Sequence, residues 1–150
     1  MEYKHFDMKP MIYQTSRLNP PELLCQGTVD GYNFYIINQG THPCGYVEIP
    51  KDHPYFCVDY DAMDICCHGG LTYGSTYLAI AQPDTDNCDR YFIGWDYGHY
   101  GDYTGFDKYF LDDVPSYMKK HTTEEIVDEC LNVISQLKAI VKASEVKSDE

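Results

Sequence analysis

Two short segments carry the residue types that do chemistry. The first is His68-Gly69-Gly70-Leu71-Thr72-Tyr73. Paired glycines let a backbone approach a ligand closely and aim N–H groups at it. Thr72 adds a hydroxyl, His68 a ring donor and Tyr73 an aromatic face. The segment is neither a Walker loop nor a dinucleotide-binding glycine fingerprint, and a plain Gly-Gly turn is the alternative. The second segment, Tyr91 to Phe110, holds nine aromatic residues in twenty, interleaved with Gly94, Gly98, Gly101 and Gly105. Aromatic rings on glycine-rich backbone make flat faces of the kind that stack on nucleobases. The alternative is that these rings simply fill the core of a small sheet.

Within the second segment, Asp96, His99 and Asp102 recur every three residues. With His68 they offer a mixed carboxylate–imidazole metal set. Gly98 and Gly101 argue against the helix that would align them, so hydrogen bonding is the simpler expectation. A carboxylate there accepts from turn N–H groups or from a purine edge. No nucleophile elbow is present, and no cysteine can be paired with a particular histidine. The expected site therefore has no catalytic residue, no resident metal and no cofactor. Its candidate ligand-binding residues are His68, Gly69, Gly70, Thr72, Tyr73, Trp95, Asp96, His99, Asp102 and Tyr103.

The elements that must position these residues follow from pattern. Strands are expected at 23–29 and 32–37, joined by Asp30-Gly31, a strong two-residue hairpin signal. Further strands are expected at 44–49, 64–68, 76–81 and 90–96. Thr122 and Glu125 form a capping box. Ile126, Cys130, Val133, Leu137 and Ile140 then recur at helical spacing, widened by Val127, Leu131, Ile134 and Val141. The expectation is one α+β domain over 1–150 with a mainly antiparallel sheet and a C-terminal amphipathic helix. It divides into an N-terminal arm (1–21), sheet and ligand loops (22–114), the helix (122–143) and a frayed polar tail (144–150).

Composition narrows the function classes. The net charge is −13. Between Asp52 and Val114 there are twelve aspartates and only two basic residues, Arg90 and Lys108. Long nucleic acid needs clustered lysine and arginine, so no such partner is expected. A small nucleotide needs only backbone N–H groups, hydroxyls and a cation or two; Arg90, Lys108 or Lys51 could supply one. No apolar run approaches a membrane span and no secretory leader is read, so neither membrane association nor export is expected. The seven cysteines lack any CxxC pair and are expected to be reduced and mostly buried, with one of Cys66 and Cys67 facing the core.

Three blocks in order, CGYVEIPKDHPYF (from Cys44), CHGGLTYG (from Cys67) and FIGWDYGHYGDY (from Phe92), resemble a widespread group of small bacteriophage proteins. The resemblance spans about residues 32 to 131; the tyrosines Tyr97 and Tyr100 are a departure from the group's pattern. It connects the chain to phage anti-CBASS sponge proteins. That connection implies immune evasion in the host cytoplasm, and a ligand pocket formed by the three blocks, which adds Tyr46 of the first block to the ligand-binding residues. A homo-oligomer binds and sequesters a cyclic dinucleotide defence signal, such as cyclic GMP-AMP, without cleaving it. Two other readings stay open: a metal-dependent phosphodiesterase using His68, Asp96, His99 and Asp102, and a protein-binding inhibitor of a host factor.

Overall fold

Asp30 and Gly31 both take positive φ, 52° and 86°, the backbone of the turn that matches strand twist in a two-residue hairpin. The turn joins β1 (Glu22–Val29) to β2 (Tyr32–Asn38) with Val29 opposite Tyr32. The computed structural model describes residues 6–14, 20–82, 89–105, 107 and 116–148. Phe106, Lys108, Tyr109, Phe110, Asp112 and Cys88 lie outside them. Beyond the hairpin come β3 (Pro43–Glu48), β4 (Tyr73–Ser75), β5 (Phe92–Asp96) and the helix α1 (Thr123–Ser148). The five strands form one antiparallel sheet in the order β1-β2-β3-β5-β4. The fold is α+β, dominated by the sheet, with a C-terminal helix.

Strand alternation divides the side chains between two faces. Phe34, Ile36, Val47, Ile93 and Trp95 meet Ile126, Val127, Cys130, Val133, Ile134 and Leu137 of α1 in the main core. Tyr35, Ile37, Cys44, Tyr46 and Phe92 form a smaller cluster with Leu78 on the other side. The β3–β5 register pairs Gly45 with Trp95 and Tyr46 with Gly94. A Cβ at Gly45 would meet the Trp95 ring at 2.6 Å, and one at Gly94 would meet the Tyr46 ring at 2.4 Å. Each aromatic therefore lies across a glycine on the neighbouring strand. This is packing chemistry, and it accounts for part of the aromatic–glycine interleaving seen in the sequence.

The capping box forms as expected. Thr122 Oγ1 accepts from the Glu125 N–H at 3.2 Å, and Glu125 Oε1 accepts from the Thr122 N–H at 3.2 Å. The helix then runs through Ser148, so the expected frayed tail from Ser144 is helical over 144–148.

Two expected strands are absent. Residues 64–68 run beside α1 without a ladder because helix side chains take their backbone groups. The Cys66 N–H donates to Gln136 Oε1 (2.8 Å), Gln136 Nε2 donates to the Cys66 carbonyl (2.6 Å), and the His68 N–H donates to Glu129 Oε2 (3.0 Å). Cys66 is accordingly exposed, while the half-buried Cys67 packs against the core. Residues 76–81 instead turn back on themselves, with the Ala81 and Gln82 N–H groups both donating to the Leu78 carbonyl. No helix among the described residues is long and apolar enough to cross a membrane.

Candidate functional site

The loop after β5 and the segment before α1 meet through an isolated bridge between Asp102 and Lys119. The Tyr103 N–H donates to the Lys119 carbonyl at 2.8 Å, and the Lys119 N–H to the Gly101 carbonyl at 2.9 Å. This register sets His121 beside Asp102. The N-terminal arm locks His121 in place: Tyr13 Oη donates to its carbonyl (3.0 Å) and accepts from its N–H (2.8 Å). Burial pushes the Tyr13 phenol up to about 12, so it stays a neutral donor and acceptor.

Asp102 is the centre of the arrangement. Its side chain is 4% exposed. His68 Nε2 lies 2.9 and 2.8 Å from its two oxygens, His121 Nε2 lies 2.9 Å from Oδ1, and the His99 N–H donates to Oδ2 at 3.0 Å. Burial works against the carboxylate's charge. The hydrogen bonds from His68, the His99 N–H and His121 outweigh it and hold the carboxyl below its ordinary value. The His68 ring stacks on Tyr97 with centroids 4.4 Å apart and planes at 15°, which fixes its orientation. Burial raises the Tyr97 phenol far above its usual range, and its oxygen accepts from Trp95 Nε1 at 3.1 Å.

His99 and Asp96 form the rim. His99 Nδ1 lies 3.5 Å from Asp96 Oδ1 and 3.9 Å from Asp102 Oδ2, and it is a buried ring nitrogen with no hydrogen-bond partner among the described residues. Asp96 caps its own turn by accepting from the Gly98 N–H at 3.0 Å, and it accepts from Thr72 Oγ1 at 3.2 Å. Gly69 and Gly70 take φ of 68° and 83°. A Cβ at Gly69 would sit 2.4 Å from the His99 ring, whereas one at Gly70 meets nothing within 4 Å.

Of the residues singled out in the sequence, the structure gathers His68, Gly69, Thr72, Asp96, His99 and Asp102 at this end of the sheet, with Gly70 at the open edge of the turn. It does not bring Tyr46, Tyr73 or Trp95 there, and Tyr103 lies in the wall of an adjoining groove. Trp95 is 1% exposed in the main core. Tyr46 and Tyr73 pack edge to face at 5.3 Å in the cluster on the other side of the sheet. Tyr103 is buried against Tyr13. The residue that sequence reasoning missed is His121. The nearest signal is its position immediately before the Thr122 cap, where a helix start holds a side chain rigidly.

No family model, curated protein or solved structure matches the chain. The site is therefore read from its own chemistry.

Two recesses adjoin it, and His121 borders both. A hollow of about 260 Å³ is lined by His68, Tyr97 and His121 together with Lys119, Glu125, Asp128 and Glu129. Its carboxylates favour a cation. Burial and, after it, the nearby Glu124 and Glu125 raise the Asp128 carboxyl above its ordinary value. The other recess is a groove of about 690 Å³ between the N-terminal arm and the start of α1. Its walls combine Tyr13, Tyr103 and Met11 with Lys9, Lys120 and Thr122. Lys120 Nζ sits 4.6 Å over the Tyr103 ring. The described thiols are poor nucleophiles where they are buried: burial raises Cys25 to about 11 and Cys67 to about 12, and Cys130 well above its usual value.

Proposed function

We propose that the protein binds a small anionic nucleotide, of the cyclic dinucleotide class, and holds it without cleaving it. The supporting observation is the groove beside His121. It is large enough for a ligand of that size, since small-molecule sites occupy about 300–1,000 Å³, and its volume is about 690 Å³. It sets Lys9 (3.8 Å from Glu22), Lys120 and the N-terminal end of a long helix around an aromatic and apolar wall, with Glu124 as the one carboxylate among the described lining residues. In a chain of net charge −13, that is a local concentration of groups suited to phosphate. Sequestration without turnover acts by mass action and needs only tight, stoichiometric binding. The phage immune-evasion role implied by the sequence blocks fits such a binder.

The test is to incubate purified protein with a panel of cyclic di- and trinucleotides, remove unbound material, then denature and chromatograph what is released. Intact nucleotide supports the reading and names its base preference. A linear product assigns a phosphodiesterase instead. No retained nucleotide and no product removes both.

A specific observation favours one other reading. Tyr100 is 91% exposed and Tyr117 56%, and their rings stack at 5.8 Å and 26°. Paired exposed tyrosines are common anchors of protein interfaces, which supports the inhibitor reading should the nucleotide panel fail.

A further inference from the structure

We propose that His68, Asp102 and His121 form a binding site for a divalent transition metal of the zinc type, open on one side to the acidic hollow. One ligand atom from each residue lies within 4.8 Å of the other two. Two imidazoles and one carboxylate are a donor set that suits zinc and ferrous iron, with further positions left for water or substrate. Zinc bonds of about 2.0–2.1 Å place tetrahedral ligands roughly 3.3 Å apart. Asp102 Oδ1 is 2.9 Å from each ring nitrogen, so metal entry parts these pairs by a few tenths of an ångström. It also draws the two rings together. His68 can make this adjustment by sliding in its own plane across the Tyr97 face, because its side chain is 28% exposed, while Asp102 and His121 are held by buried hydrogen bonds.

Three further features support a cation. The hollow beside the cluster carries Glu125, Asp128 and Glu129, with Lys119 engaged by Glu125. The second layer around the ligands is built: Tyr97 stacks on His68, Tyr13 fixes the His121 backbone, and the His99 N–H orients Asp102. Partners of this kind set ligand orientation in metal sites. The unpartnered His99 Nδ1 faces Asp96 and Asp102 and can accept or donate to a metal-bound water. The inference does not depend on the nucleotide reading, because its test uses the metal alone.

Chelator-treated protein is titrated with Zn²⁺ by calorimetry and with Co²⁺ by visible absorption. The expected result is one metal per chain, a melting temperature that rises with metal concentration, and a cobalt spectrum without thiolate charge transfer. His68→Gln and His121→Gln should each weaken binding at least tenfold. Should His121→Gln fail to fold, His68→Gln decides, since its side chain is partly exposed and its loss leaves Asp102 with two donors. A Cys57→Ser/Cys66→Ser double variant, which removes the exposed thiols among the described residues, should bind as the parent does. Absence of saturable binding, binding unchanged in His68→Gln, or a thiolate band lost with the two cysteines would each overturn the proposal.

Discussion

Replacing Asp102 with asparagine tests whether the carboxylate organises the site. Its two oxygens take three donors: the rings of His68 and His121 and the backbone N–H of His99. Asparagine keeps the shape but offers one oxygen and one NH₂. With the NH₂ at the Oδ2 position, the buried His99 N–H loses its acceptor. With the NH₂ at the Oδ1 position, it confronts His121, whose ring must shift its proton to accept. The second arrangement costs less, because no donor is orphaned. All the bonds still lose their charge assistance. Hydrogen bonds to charged groups contribute about 1.5–3 kcal/mol, against roughly 1 for neutral ones. Summed over three bonds and discounted for the partly exposed His68, the loss is about 3 kcal/mol. In a domain of this length that lowers the melting temperature by about 6–12 °C. Asp102→Ala should cost more, since it leaves every donor without an acceptor. The assay is urea and thermal unfolding of chelator-treated protein at neutral pH, which keeps metal linkage out of the comparison. A loss under about 1 kcal/mol for Asp102→Asn, or equal losses for the two variants, would refute the reasoning.

Other perturbations probe the surroundings. Gly69→Ala and Gly70→Ala both force an L-residue to positive φ, at about 1–2 kcal/mol each. Only Gly69→Ala drives a Cβ into the His99 ring, so only it should alter the His99 imidazole signals in NMR. Glu48, paired with Arg90 at 2.6 Å, is raised by burial but lowered further by hydrogen bonds from Arg90, Asn33 and Tyr35, so its folded value lies below the ordinary 4.5. A depressed carboxylate stabilises the fold above its unfolded value and loses that contribution as pH falls through its folded value. The stability gap between the parent and Glu48→Gln should therefore be full at neutral pH and shrink on acidification below about 4.5, as read by unfolding curves across pH. Thr122→Ala removes the capping box and should cost about 1 kcal/mol by urea unfolding.

What was legible in the sequence was local. Asp30-Gly31 dictates its hairpin through two residues of positive φ, and Thr122 with Glu125 dictates where α1 starts. The segment 64–68 looked like a strand because its residues suit one. Its backbone partners are Gln136 and Glu129, more than sixty residues away, and no local rule reports them. The aromatics of β5 were ambiguous for a related reason. Whether Trp95 meets a ligand or the core depends on which face the helix covers, and the Gly45–Trp95 pairing settles that only once β3 lies beside β5. His68 and Asp102 were identifiable by type. Their partner His121 was not, because it arrives through the bridge at Lys119 and the clamp of Tyr13, both contacts made by the tertiary fold.

The two recesses that share His121 are electrostatically opposed, and this yields a prediction that joins the two proposals. The hollow is walled by Glu125, Asp128 and Glu129 against Lys119, the groove by Lys9 and Lys120 against Glu124, so the two differ in the sign of their net charge. A divalent cation on the His121 ring adds positive charge to the wall between them and offsets the field of the helix carboxylates. An anion in the groove then gains attraction across a partly buried boundary, where the effective dielectric is well below that of water. A coupling at the low end of the usual range of roughly 1–3 kcal/mol is a gain of about fivefold in affinity. Binding linkage is reciprocal, so the nucleotide must tighten the metal by the same factor. Calorimetric titration of a cyclic dinucleotide with and without saturating Zn²⁺, followed by the converse pair, measures both sides of the cycle. A factor above one supports an anion and a cation in recesses that share a wall. A metal that leaves nucleotide affinity unchanged separates the sites. A metal that abolishes nucleotide binding places both ligands in competition for His121, and the groove would then not be the nucleotide's seat.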